Sequence, residues 1–81
     1  MVNNLYTSIL MVDKKQEETI GDKIQRERKK QKLTQEALAM KSDMPYTTLA
    51  KIEGNAITRP TIQTVIKIAK GLDISIDNLL S

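Results

Sequence analysis

The sequence predicts an all-α fold, a compact bundle of five short helices behind a short N-terminal extension. Two observations carry this. From Ile20 onward the apolar residues recur at steps of three and four, the helical period. Helix-opening residues, namely Thr34, Pro45, Pro60 and Ser75, divide that stretch into short segments, and no convincing strand falls between them.

The first helix is expected over 20–31, with Ile20, Ile24, Arg28 and Gln31 on one face and Lys23, Arg26, Lys29, Lys30 and Lys32 around the rest. An inward Arg28 needs a partner. Thr34 is a good N-cap for a second helix over 35–41, which buries Leu38 and Ala39. Ser42 to Pro45 make a tight turn. Pro45, suited to a first helical turn, opens a third helix over 45–53 that buries Leu49 and Ile52. Gly54 and Asn55, which both tolerate positive φ, end it. Pro60 opens a fourth helix over 60–71, with Ile62, Val65, Ile66, Ile68 and Ala69 along its apolar stripe. Ser75 caps a last short helix that buries Ile76, Leu79 and Leu80, and Asp77 in its first turn complements the helix dipole.

Composition narrows the chemistry. An 81-residue chain holds one small domain. With two Tyr, no Phe and no Trp, its core is aliphatic. The absence of Cys and His excludes a disulfide scaffold, a zinc finger, a cysteine nucleophile and a histidine base. No cofactor or metal site is expected, and without a Gly-rich phosphate loop an enzyme is the weakest hypothesis. The apolar run from Ile9 to Val12 is too short to span a bilayer, and no secretory leader is evident, so the expected compartment is the cytoplasm. The basic excess forms one cluster: residues 20–33 set Lys23, Arg26, Arg28, Lys29, Lys30 and Lys32 against Asp22 and Glu27. Such a cluster is either a solvated helix face or a footprint for a polyanion.

The most informative stretch is Leu33 to Pro60, two short helices joined by a four-residue turn, which is a helix-turn-helix layout. Here the sequence resembles the Cro/repressor-type, or XRE-like, helix-turn-helix proteins of lambda-repressor-like fold. The matching words are LTQEALA at 33–39, TLAKIE at 48–53 and RPTIQTVIKIAKGLDISIDNLL at 59–80. The resemblance covers about residues 20–80 and implies a DNA-binding transcriptional regulator.

It also implies roles by position. Thr34 and Gln35, at the start of the second helix, would grip a DNA phosphate, in keeping with the affinity of helix N-termini for anions. The third helix would read the major groove through its outward positions Tyr46, Thr47, Ala50 and Lys51. Lys51 would meet guanine, Thr47 a base edge or phosphate, Ala50 a thymine methyl, and Tyr46 a base or the backbone. Asn55, Thr58 and Arg59 would approach the sugar-phosphate backbone. Arg28 and Glu53 match positions that pair across the first and third helices as a structural ion pair.

The chain departs from the family pattern at four places. Gly54-Asn55 inverts the usual order, Pro45 replaces a Ser or Thr cap, and Asp73 replaces a frequent Gly. Gly71 replaces Ala inside the fourth helix, at a cost of roughly 0.5–1 kcal/mol.

The chain divides into an extension and linker over 1–19 and a DNA-binding domain over 20–81. Four readings stand for the extension: a strand that pairs with a second chain, a segment packed on the last helix, a flexible tail, or an upstream start preceding Met11. The leading function is a repressor that binds a palindromic operator of double-stranded DNA as a homodimer, through a surface around Ile74 to Leu80. The competing function is an antitoxin or regulatory module of the same fold, whose main partner is a protein bound through residues 1–13.

Overall fold

The computed structural model describes residues 18–80. Among them are five helices and no strand: α1 (Ile20–Lys30), α2 (Gln35–Lys41), α3 (Tyr46–Glu53), α4 (Ile62–Leu72) and α5 (Ile76–Leu80). The readings made for residues 1–13 lie outside the described residues.

The core is aliphatic, as composition requires. Ile24, Leu38, Ala39, Leu49, Ile52, Val65, Ile68, Ala69, Leu72 and Leu79 form one buried cluster to which every helix contributes. α2 packs on α3 and α4, α1 packs on α3, α4 and α5, and α5 returns against α4. Two apolar positions expected inside are not. Ile62 is 58% exposed and Leu80 is 55% exposed, because each sits at the outer end of its helix, past the layer that covers the core. Ile76 is only half-buried.

Helix starts follow side-chain chemistry. Thr34 Oγ1 accepts from the Ala37 amide at 3.0 Å, and Ser75 Oγ accepts from the Asn78 amide at 3.1 Å. Thr19, assigned from sequence to the linker, caps α1 through a full capping box: its hydroxyl accepts from the Asp22 amide while Asp22 accepts from the Thr19 amide. α4 starts two residues after Pro60, because Thr61 is the cap and its hydroxyl accepts from the Thr64 amide. Pro45 is the N-cap of α3 rather than its first helical residue, and no side chain caps that end.

Helix ends share one device. Lys32, Asp43, Asn55 and Asp73 have φ of 59°, 54°, 66° and 57°. At each, two amides turn back onto the helix: Lys32 to Lys29 and Leu33 to Arg28, Asp43 to Met40 and Met44 to Ala39, Asn55 to Ile52 and Ala56 to Lys51, Asp73 to Lys70 and Ile74 to Ala69. These are Schellman closures built on left-handed residues that are not glycine. In three of them the following residue, Leu33, Met44 or Ile74, packs against the core.

Glycine matters where helices approach closely. A Cβ on Gly21 would strike the Ile52 carbonyl oxygen of α3, and a Cβ on Gly71 would strike Ser42 Oγ at the end of α2. Gly71 is therefore needed by packing, and its expected cost to the helix is offset there.

Candidate nucleic-acid interface

The eight residues of α3 divide cleanly. Leu49, Ile52 and Glu53 face inward and are buried. Tyr46, Thr47 and Lys51 are exposed and Ala50 is half-buried, so the expected reading face is solvent-facing except for the partial cover over Ala50. Tyr46 keeps 44% of its surface exposed.

The inward Arg28 has the partner that the family resemblance implies. Arg28 Nε donates to Glu53 Oε2 at 2.8 Å and Nη2 donates to Oε1 at 3.0 Å, a two-pronged pair. Arg28 Nη1 also donates to the Leu33 carbonyl at 2.8 Å. The Glu53 side chain is 1% exposed and that of Arg28 10%. This pair ties α1 to the end of α3 and to the segment entering α2.

Thr34 is exposed and its hydroxyl oxygen is used as the α2 cap. The Gln35 amide is engaged inside the protein: Nε2 donates to Glu53 Oε1 at 3.0 Å. That bond sets the start of α2 beside the end of α3. Just beyond, Asn55, Thr58 and Arg59 are exposed in the loop leading to α4. Asn55 Nδ2 donates to Asp22 Oδ1 at 3.3 Å, so it clasps the first turn of α1. The Asn55 bond, followed by the Thr19 amide, holds the Asp22 carboxyl below its ordinary value of 3.8, with burial opposing weakly. Sequence reasoning missed Asp22. Its signal was legible in the Thr-x-x-Asp spacing of the capping box.

The basic cluster is partly consumed. Arg26 Nη1 bonds both oxygens of Glu18 at 2.6 and 2.7 Å, and Lys30 pairs with Glu27 at 3.3 Å. Exposed pairs of this kind add little stability, but they remove cations from the field that a polyanion would meet.

A family model described as helix-turn-helix matches residues 24–79. The chain belongs to the XRE-type helix-turn-helix family. Solved structures agree with this placement. The N-terminal DNA binding domain of SinR from Bacillus subtilis is 35% identical, with a TM-score of 0.72 over 76% of this chain and 90% of that one. SinR, the master regulator for biofilm formation, in complex with DNA, is 35% identical, with a TM-score of 0.74 over 78% of this chain and all of that one. The restriction-modification controller protein C.AhdI from Aeromonas hydrophila is 25% identical, with a TM-score of 0.69 over 74% and 89%. Among curated proteins none matches. In this helix-turn-helix protein the inverted Gly54-Asn55 order is accommodated: Gly54 takes φ −84° and Asn55 takes the left-handed turn. Among the described residues no helix is long and apolar enough to cross a membrane.

Proposed function

We propose that this chain is a sequence-specific DNA-binding transcriptional regulator, a repressor that binds a palindromic operator as a homodimer in the cytoplasm. The observation that carries the reading is the single exposed face of α3, with Tyr46, Thr47 and Lys51 standing opposite buried Leu49 and Ile52. Similarity to a SinR structure solved with DNA supports it.

In this reading residues 20–81 are the DNA-binding domain. α3 enters the major groove. Lys51 donates to guanine O6 and N7, Thr47 meets a base edge or phosphate, Ala50 meets a thymine methyl, and Tyr46 meets a base or the backbone. Thr34, Gln35, Asn55, Thr58 and Arg59 hold the sugar-phosphate backbone on either side of α3. One domain reads only a few base pairs, so two copies read half-sites about 34 Å apart. The dimer surface in this reading lies around Ile74 to Leu80, where Leu80 is exposed.

Selection of bound sequences from a random DNA pool at two salt concentrations tests the reading. The expected result is an enriched inverted repeat with half-sites one helical turn apart, bound less tightly at high salt. Weak, salt-labile binding with no enriched sequence overturns it. Lys51→Ala is expected to relax the preference at one base position of each half-site, and an unchanged preference moves the reading face elsewhere.

A further inference from the structure

Glu53 has more partners than an ion pair requires. One oxygen takes Arg28 Nε, and the other takes both Arg28 Nη2 and Gln35 Nε2. A carboxylate only accepts hydrogen bonds. Of the two flips open to the Gln35 amide, the one that turns Nε2 toward Glu53 makes a bond, and the other sets oxygen against oxygen. The buried, Arg-clamped carboxylate therefore selects one flip. Nε2 carries two protons, and only one is used. The second diverges from the carboxylate, on a residue that is only half-buried and lies next to exposed Thr34.

We propose that Glu53 is a positioning residue for DNA binding: it locks the Gln35 amide so that the remaining Nε2 proton is held ready for a DNA phosphate oxygen. The proposal rests on the DNA-binding reading above. Arg28 has a second part in it. By pairing with Glu53 in two prongs it neutralises a carboxylate that would otherwise repel the phosphate behind Gln35. The order Arg28, Glu53, Gln35, phosphate is a chain of positioning contacts: Glu53 accepts from Arg28 and from Gln35, and Gln35 Nε2 has one proton left to donate on its far side.

The test uses the full chain and the operator recovered by selection. Gln35→Met keeps the length of the side chain and removes its donors. It is expected to weaken binding about tenfold, with base preference unchanged. The slope of log affinity against log salt also stays unchanged, because no cation is lost. Methylphosphonate placed at one operator phosphate at a time is expected to find a position that weakens wild type and leaves Gln35→Met unaffected. Glu53→Gln, assayed at a temperature where circular dichroism shows it folded, is expected to weaken binding by a similar factor, and the double variant no further than either single one. Multiplied costs in the double variant overturn the proposal, as does wild-type affinity in Gln35→Met. Because Glu53→Gln strains a buried pair, one measurement avoids it. In nitrogen-15 spectra of the free wild-type protein the two Gln35 Nε2 protons are expected to lie farther apart than those of the exposed Gln63, one bonded and one free, and a separation equal to that of Gln63 overturns the lock. Failure of the DNA-binding reading shows in wild type as no selected sequence. Failure of this proposal alone shows only in the variants or the Gln35 spectrum.

Discussion

Gly71 shows how far one residue's meaning depends on its neighbours. By helix propensity alone, Gly71→Ala stabilises α4. In the fold the added Cβ meets Ser42 Oγ, with the Ser42 amide nitrogen at 3.1 Å and Leu38 Cδ1 at 3.2 Å. The sign reverses, and Gly71→Ala is expected to lower stability by about 1–3 kcal/mol. Ser42 Oγ is itself buried with no hydrogen-bond partner. Ser42→Ala therefore costs little, and combined with Gly71→Ala it recovers part of the loss, since the hydroxyl is the nearest obstacle. Urea denaturation of the two single variants and the double variant reads this directly, and additive losses contradict it. Asp22 gives a second expectation at this scale. Its carboxyl titrates lower in the folded chain than in the unfolded one, so the unfolded state takes up the proton first as pH falls. The stability it contributes is whole above its ordinary value of 3.8 and disappears as pH drops through the lower folded value. Thermal unfolding should show wild type more stable than Asp22→Asn at neutral pH, with the gap narrowing below about pH 4.

At the scale of the element, the four helix ends obey one rule with unusual residues. A left-handed non-glycine residue costs roughly 1–2 kcal/mol, and an apolar residue just beyond it, Leu33, Met44 or Ile74, holds three of the turns closed against the core. Lys32 is exposed and has no local side-chain bond to favour φ of 59°. Lys32→Gly is expected to raise stability by about 0.5–1 kcal/mol, the relieved strain less the backbone entropy of glycine. Differential scanning calorimetry checks it, and an unchanged or lower Tm contradicts it. The loop from Asn55 to Arg59 is the other element with a consequence. Arg59 is an exposed cation placed where α3 hands over to α4, and in the DNA-binding reading it touches a phosphate. Arg59→Ala should then weaken binding to all sequences alike and flatten the salt slope by about 0.9. Gln35→Met, by contrast, leaves that slope alone. The pair of variants separates a charged phosphate contact from a neutral one.

In the whole molecule, α1 is the strap that holds the helix-turn-helix together. Its start meets α3 through Gly21 and the turn after α3 through the Asp22–Asn55 clasp, its last turn meets α3 through Arg28 and Glu53, and its C-cap meets α4 through Gln31 Nε2, which donates to the Leu72 carbonyl at 2.6 Å. Arg28→Ala leaves Glu53 buried without its cation and is expected to lower stability by about 3–5 kcal/mol. Replacing both partners by Met should recover most of that loss, since a buried pair is often no more stable than apolar residues of similar size. The recovered protein is nevertheless expected to bind DNA more weakly than wild type, because Gln35 has lost the carboxylate that orients it. Denaturant midpoints and operator affinity measured on the same preparations separate the two roles.

The sequence by itself determined the all-α class, the order of the five helices, most of their bounds to within a residue or two, the aliphatic core and the need of an inward Arg28 for a partner, while the family resemblance pointed to Glu53. It could do so because helical period, caps and charge at an inward position are local or nearly local signals. Asn55 was legible as a left-handed residue because Asn tolerates that conformation; Lys32 and Asp43 were not singled out, since neither turn holds a glycine to mark it. What only the tertiary structure decided depends on atoms far apart in sequence. It exposed Ile62 and Leu80, which helical period alone assigns to the core. It turned Gly71 from a helix defect into a packing requirement. It gave the Gln35 amide to Glu53 and the Asn55 amide to Asp22. A side chain's hydrogen-bond partner is set by whichever helix crosses beside it, and crossing geometry emerges only when all the faces are buried at once.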